Sequence, residues 1–378
     1  MTVVGLVAEG EDPWALPPAW EIEQRWITGG VRELYLLLAA AAAAGERAEL
    51  RGPVVRAELD PICADAGVAV DLPGAARMPA DDDVVLVLAG HQDPRFFARR
   101  MLSPARTAIL VLAATGLFGW PFAAGWTSRD PLDADPDEVG RPEHLAAMAD
   151  LGFAVWTNNP RVVADAATVG VRAVDVHSGS PRPLPPVPAK AVDVAAVTDN
   201  RWWPLTARAL DALGPGVTVD RVEAVDNDEL RRRLGAARVF VHMAAIEGHS
   251  TLGEEARSLG TVPVGLRSNR FGVGFREDEG GLAVATPQDA GPAIRALLGD
   301  PARLARIAAA GRARAQADLA WAPCVERMRA ALAGLADDPG RAARGEIGRL
   351  LADERLGLLG LVNEARAQAA AEEGRTAG

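Results

Sequence analysis

Short apolar runs alternate with longer amphipathic stretches along most of the chain. Residues 3–8, 68–70, 84–88, 109–112, 154–157 and 173–176 read as buried strands. Between them, 31–44, 60–66, 142–151 and 161–169 read as helices, the first opening after Gly29-Gly30 and closing at Gly45. Strands separated by helical stretches of this length predict an α/β unit with a parallel sheet covered on both faces. The run 180–190, SPRPLPPVPAK, holds five prolines and reads as a stiff connector. Beyond it the alternation restarts, with strands at 192–197, 217–219, 239–243, 262–266 and 280–285. The helices there are 204–213, 228–234, 287–298, 301–318 and 323–335. The pattern divides the chain into 1–180, a connector 181–190, a second α/β unit 191–335 and a helical extension 336–378. Within the extension, 347–370 is amphipathic and predicts a helix docked on its own protein or a homodimer contact.

Composition narrows the function classes. The chain has 378 residues, and 40 basic against 51 acidic side chains leave a net charge of −11. That balance argues against a nucleic-acid surface as the main business. Cys63 and Cys324 stand far apart without ligand spacing, so they read as free thiols in a reducing compartment. The first residues, MTVVGLVAEGED, lack the basic and apolar regions of an export signal, and a cytoplasmic protein is expected. Residues 107–126 carry no charge over twenty positions, but four glycines and prolines interrupt them. A strand followed by an apolar loop fits better than a membrane span, with peripheral membrane contact at most.

The candidate chemistry concentrates in 239–266, VFVHMAAIEGHSTLGEEARSLGTVPVGL. A strand feeds a loop of small residues, which opens a helix. The free N–H groups and positive dipole end of such a helix favour an anion. Glu247 in the loop and Glu255 in the helix are separated by seven residues, so both carboxylates face the same ligand and can accept hydrogen bonds from hydroxyl groups. His242 reads as a core histidine and His249 as a loop residue near the ligand. Asp81-Asp82-Asp83 reads as a solvated turn before a strand. Trp14, Trp20, Trp26, Trp120 and Trp126 fall on loops of the first unit, where their faces could stack on a ligand such as a sugar or another acceptor, and surface packing explains most of them equally well. No spacing of His, Cys or carboxylates reads as a metal site.

Residues 247–264, E-G-H-S-T-L-G-E-E-A-R-S-L-G-T-V-P-V, resemble the pattern E-G-[FHNK]-[GS]-…-E-A-x-[AS]-x-G-x-P-V of family 4-like retaining glycosyltransferases. The resemblance implies the GT-B fold, two doubly wound Rossmann-like domains facing a cleft, and transfer of a sugar from a nucleoside diphosphate sugar to an acceptor. It implies no cofactor and no metal, the donor being a substrate. Glu255 would take the ribose hydroxyls and Glu247 the donor sugar. Ser250, Thr251 and Leu252 would offer backbone N–H groups to the diphosphate, and Gly248 and His249 would also bind the donor, His249 at the sugar or the phosphate. Gly29 and Gly30 would border it from the other domain, and His91, at a strand end, would face the donor sugar. After the first strand of the second unit the family carries an Arg and then a Lys-Gly. Here Arg201 fits the first place and Thr206 stands in the second. The only lysine is Lys190, in the connector. Either Arg208, Arg267 or Arg270 supplies the missing charge, or transfer is reduced or absent. A degenerate binding protein and a GT-B epimerase are the alternatives. The resemblance further implies that the helix after Leu319-Ala320-Trp321 runs back to the first domain.

Overall fold

A computed structural model describes residues 1–7, 15–23, 29–88, 105–111, 145–146, 149, 152–200, 202–245, 250–269 and 272–336. The first sheet holds β1 (Thr2–Leu6), β2 (Ala19–Glu21), β3 (Arg47–Val54), β4 (Asp83–Leu88), β5 (Arg106–Val111), β6 (Ala154–Thr157) and β7 (Val174–Asp175). Their order is β2-β3-β1-β4-β5-β6-β7, every pair parallel. The second sheet, also parallel, holds β8 (Val192–Val197), β9 (Val219–Val222), β10 (Ala237–Val241), β11 (Val262–Leu266) and β12 (Leu282–Val284), in the order β12-β11-β10-β8-β9. In both sheets the chain builds one side first and then crosses to the other, at β1/β4 and at β8/β10. Open parallel sheets take ligands outside the carboxyl ends of such switch points.

Helices α1 (Gly29–Ala43), α2 (Arg56–Ala66) and α3 (Pro160–Thr168) accompany the first sheet, and α4 (Trp203–Asp211), α5 (Asn227–Ala236), α6 (Thr251–Ser258), α7 (Pro287–Leu298) and α8 (Pro301–Asp318) the second. Their ends follow from local chemistry. Asn159 accepts from Arg161 N–H before α3, with Pro160 at the first position. Thr286 and Asp289 form a reciprocal capping box on α7. Helix α1 stops at Gly45, whose φ of 98° few other residues tolerate.

The last described helix, α9 (Trp321–Ala336), leaves the second sheet and packs on α1. Cys324, Val325, Met328, Ala331 and Leu332 enter the same core as Leu34, Leu37 and Leu38. This is the return to the first unit expected after Trp321. The two crossings lie side by side, with Ser180 N–H donating to Leu319 O at 2.9 Å. The proline connector is tied to the second unit by Lys190, whose Nζ donates to Gly235 O (2.9 Å), Leu259 O (3.0 Å) and Thr261 Oγ1 (2.8 Å).

Several expectations need correction. The segment 45–60 holds the eight-residue strand β3, which alternation did not reveal because Arg47, Glu49 and Arg51 interrupt the apolar pattern. Glu49 and Arg51 are buried and paired at 2.8 Å, and Arg77 joins them at 3.0 Å. Asp83 is not solvated: it opens β4, is buried, and binds Arg77 at 2.6 Å. Helix α2 begins at Arg56, four residues early, and 68–70 is not a strand, although Asp71 bridges to Glu49. Strand β9 lies at Val219–Val222 rather than 217–219, because Thr218 is held by Asp193 at the sheet edge. Trp20 lies in edge strand β2, half exposed, while Trp14, Trp26, Trp120 and Trp126 lie outside the described residues. So does 347–370. Of 107–126 only 107–111 is described, within β5, and among the described residues no helix is long and apolar enough to cross a membrane.

Candidate active site between the two sheets

Helix α6 organises the site. Ser250 caps it, its Oγ accepting from Gly253 N–H at 3.1 Å, so Thr251 and Leu252 are the first helical residues. Helix geometry leaves their N–H groups without intrahelical acceptors. From Gly253 to Ser258 every residue is buried, although three of the six are charged. Buried charges need partners, and each one here has them. Arg257 donates to Glu254 at 2.9 Å and to Glu279 O at 3.3 Å. Glu255 Oε1 receives Arg231 Nε from α5 at 3.2 Å and Arg32 Nη1 from α1 at 3.0 Å.

Arg32 stands in the first turn of α1, two residues after Gly30. It reaches Glu255 across 223 positions of sequence and joins the two units at the switch-point end. Glu58 on α2 lies beside this pair and accepts from Asn227 Nδ2 of α5 at 2.5 Å. Burial raises the Glu58 carboxyl above its usual range, and the Asn227 hydrogen bond and the Arg32 charge oppose that rise.

A second contact runs alongside. Adjacent helical positions differ by about 100°, so neighbours serve different partners. Glu33, next to Arg32, turns to the crossing and accepts from Ser178 N–H (3.2 Å) and Oγ (2.6 Å). Glu254, next to Glu255, faces His177, with Nε2 and Oε2 4.0 Å apart. The His177 carbonyl accepts from Arg327 of α9 at 2.8 Å, and Arg161 of α3 reaches Glu279 at 3.4 Å.

The structure thus places Ser250, Thr251, Leu252 and Glu255 on one capped helix and joins Glu255 to the start of α1 through Arg32. Gly29 and Gly30 are the first residues of that helix rather than a turn before it. Glu247, Gly248, His249, Arg201 and His91 lie outside the described residues. His242 is a core residue as expected, stacked between Phe240 and Phe275 with ring centroids 5.8 and 6.3 Å away. Of the arginines considered as a second cation, Arg208 and Arg267 are exposed, Arg267 resting against Ala283 O, and Arg270 is outside the described residues. The cations that do converge on Glu255, Arg32 and Arg231, were not singled out. One signal was legible for Arg32: with Glu33 it makes the only charged positions in an otherwise apolar α1. Arg231 lies within the run Arg231-Arg232-Arg233, where nothing distinguishes one arginine from the next.

Two parallel, doubly wound sheets, a proline-rich crossing and a final helix returning to the first unit define the GT-B fold. No family model matches the chain, and no curated protein does either. Solved structures do. Sucrose-phosphate synthase from Thermosynechococcus elongatus superposes with a TM-score of 0.55 at 14% identity, over 89% of this chain and 99% of the other. A glycosyltransferase from Rickettsia africae gives 0.54 at 9% identity, over 89% and 99%. HepE from Anabaena, solved in complex with UDP-glucose, gives 0.53 at 12% identity, over 88% and 100%. At these identities the likeness is one of fold.

Proposed function

We propose that the protein is a glycosyltransferase that moves a sugar from a nucleoside diphosphate sugar to an acceptor with retention of configuration, without a metal, in the cytoplasm. The observation that carries the reading is the placement of Glu255. It lies on a helix whose first N–H groups lack intrahelical acceptors, and its Oε1 receives Arg32 from the start of α1 at 3.0 Å. In this reading Glu255 accepts from the ribose hydroxyls, while Thr251 and Leu252 donate N–H groups to the diphosphate. The same reading assigns Glu247 and His91 the donor sugar, Arg201 the phosphates, and Gly248 and His249 a further part in binding the donor. As the glycosidic bond breaks, negative charge builds on the departing diphosphate, and fixed N–H dipoles and cations lower the barrier. The solved HepE carries UDP-glucose, which supports a donor of this class. The domains assigned are 1–180 for the acceptor side and 191–335 for the donor, with α9 docked back on the first, and 336–378 as a helical extension and candidate dimer contact. Nucleic acid is not a partner, and membrane contact is peripheral at most.

Calorimetric titration with UDP-, GDP- and dTDP-sugars tests the donor, followed by product analysis with and without acceptors. Binding of one donor that Glu255→Gln weakens about ten-fold or more supports the reading, since a hydrogen bond to a charged group is lost. No binding to any of them, with Glu255→Gln indistinguishable from wild type, sinks it. A second reading, a binding protein of this fold without transfer, is favoured by the commitment of the sole lysine: Lys190 holds three acceptors in the connector. Detected sugar transfer excludes it, and conversion of donor alone to an isomer would reveal an epimerase.

A further inference from the structure

With Lys190 committed, any additional permanently charged side chain for the diphosphate must be an arginine. Two arginines already sit at the cleft, and both donate to the same oxygen, Glu255 Oε1. Glu58 lies beside them, so the two guanidinium groups face two carboxylates, but Glu58 spends a hydrogen bond on Asn227, and among the described residues both arginines donate to Glu255. Arg231 belongs to α5, in the same unit as Glu255, and stays with it in any relative position of the two units. Arg32 comes from the other unit, and its side chain is 14% exposed.

Its reach decides what else it can meet. Glu255 is four residues past Thr251, so its Cα lies about 6 Å along the helix axis from that first residue. Helical side chains tilt towards the N-terminus, which brings the carboxylate, and the guanidinium bound to it, nearer to the Thr251 and Leu252 N–H groups. A ribose accepted by Glu255 competes for Oε1. Arg32 would then lose its hydrogen-bonded anion and keep only the charge of neighbouring Glu58, within about one helical turn of the diphosphate. A guanidinium offers paired N–H donors that match phosphate oxygens.

We propose that Arg32 is a diphosphate-binding residue supplied by the first unit: it holds Glu255 in the free protein and transfers to the donor's phosphates when the ribose takes Glu255. This rests on the nucleotide-sugar reading above. The exchange would also couple donor binding to the juxtaposition of the units, because the phosphate contact comes from α1 and the ribose contact from α6.

The test compares wild type, Arg32→Gln and Arg32→Lys by calorimetry with UDP, GDP, ADP and dTDP, each beside its nucleoside. For the base that binds, Arg32→Gln is expected to weaken the diphosphate at least about ten-fold and the nucleoside less than two-fold. Arg32→Lys, which keeps the charge but loses the planar fork, is expected to weaken the diphosphate about three-fold. Melting curves establish that each variant is folded; if Arg32→Gln is not, Arg32→Lys decides. Diphosphate binding in a folded variant that is unchanged or tighter than wild type overturns the proposal, leaving Arg32 as a competitor for Glu255 only. Equal weakening of diphosphate and nucleoside also overturns it. Failure of the wild type to bind any of the four diphosphates would instead remove the donor reading itself.

Discussion

Glu49→Ala tests whether strand β3 is held by charge. Glu49 Oε2 accepts from Arg51 Nε (3.2 Å) and Nη2 (2.8 Å) and from Arg77 Nε (3.3 Å) and Nη2 (3.0 Å). Arg47 pairs with the other oxygen at 3.2 Å but is 62% exposed and keeps Asp71, and the two arginines on Oε2 differ in what they keep when the carboxylate goes. Arg77, 30% exposed, retains Asp83 and water, so its share of the loss is small. Arg51, 1% exposed, retains among the described residues only the carbonyls of Pro17 (3.1 Å) and Ala75 (2.7 Å), with no counter-ion among them. Removing one partner of a buried pair costs about 3–5 kcal/mol. Urea unfolding followed by tryptophan fluorescence should show that loss, with a melting temperature lower by about 10 °C for a unit of this size. The double variant Glu49→Leu/Arg51→Met removes both charges. Replacing a buried pair by apolar side chains is near neutral, and the two carbonyls left without donors cost about 1 kcal/mol each. The double should therefore be more stable than the single. A single variant that loses less than about 1 kcal/mol, or a double at least as damaged as the single, refutes the reasoning.

Four further outcomes are expected. Burial lowers the Lys190 ammonium to about 8 from 10.5; between these values the unfolded chain holds more protons, so wild-type stability should rise with pH relative to Lys190→Met, as read by unfolding titrations from pH 7 to 11. Equal slopes would contradict this. Gly280 has φ 91°, and a Cβ there would lie 2.0 Å from Gly311 Cα, so Gly280→Ala should cost at least about 2 kcal/mol. Gly334→Ala, in open space on α9, should stabilise by about 0.5–1 kcal/mol in the same denaturation assay. Cys324 is buried and its thiol is pushed up to about 11, so alkylation mapped by mass spectrometry should reach it only after unfolding.

The sequence by itself determined the parallel strands with continuous apolar runs, the helices with caps, the proline crossing and the start of α6. Each of these is a local signal: a period, a cap or a turn residue acts within a few positions of itself. Strand β3 escaped because its charged residues are neutralised by Arg77, 28 positions from Glu49, and no local period reports such a partner. The site divided in the same way. Glu255 and Ser250 were legible from spacing and capping, whereas the convergence of Arg32 and Arg231 on that glutamate was decided by the packing of two units. An ion pair between residues 223 positions apart exists only once α1 and α6 face each other, and that geometry belongs to the tertiary structure alone.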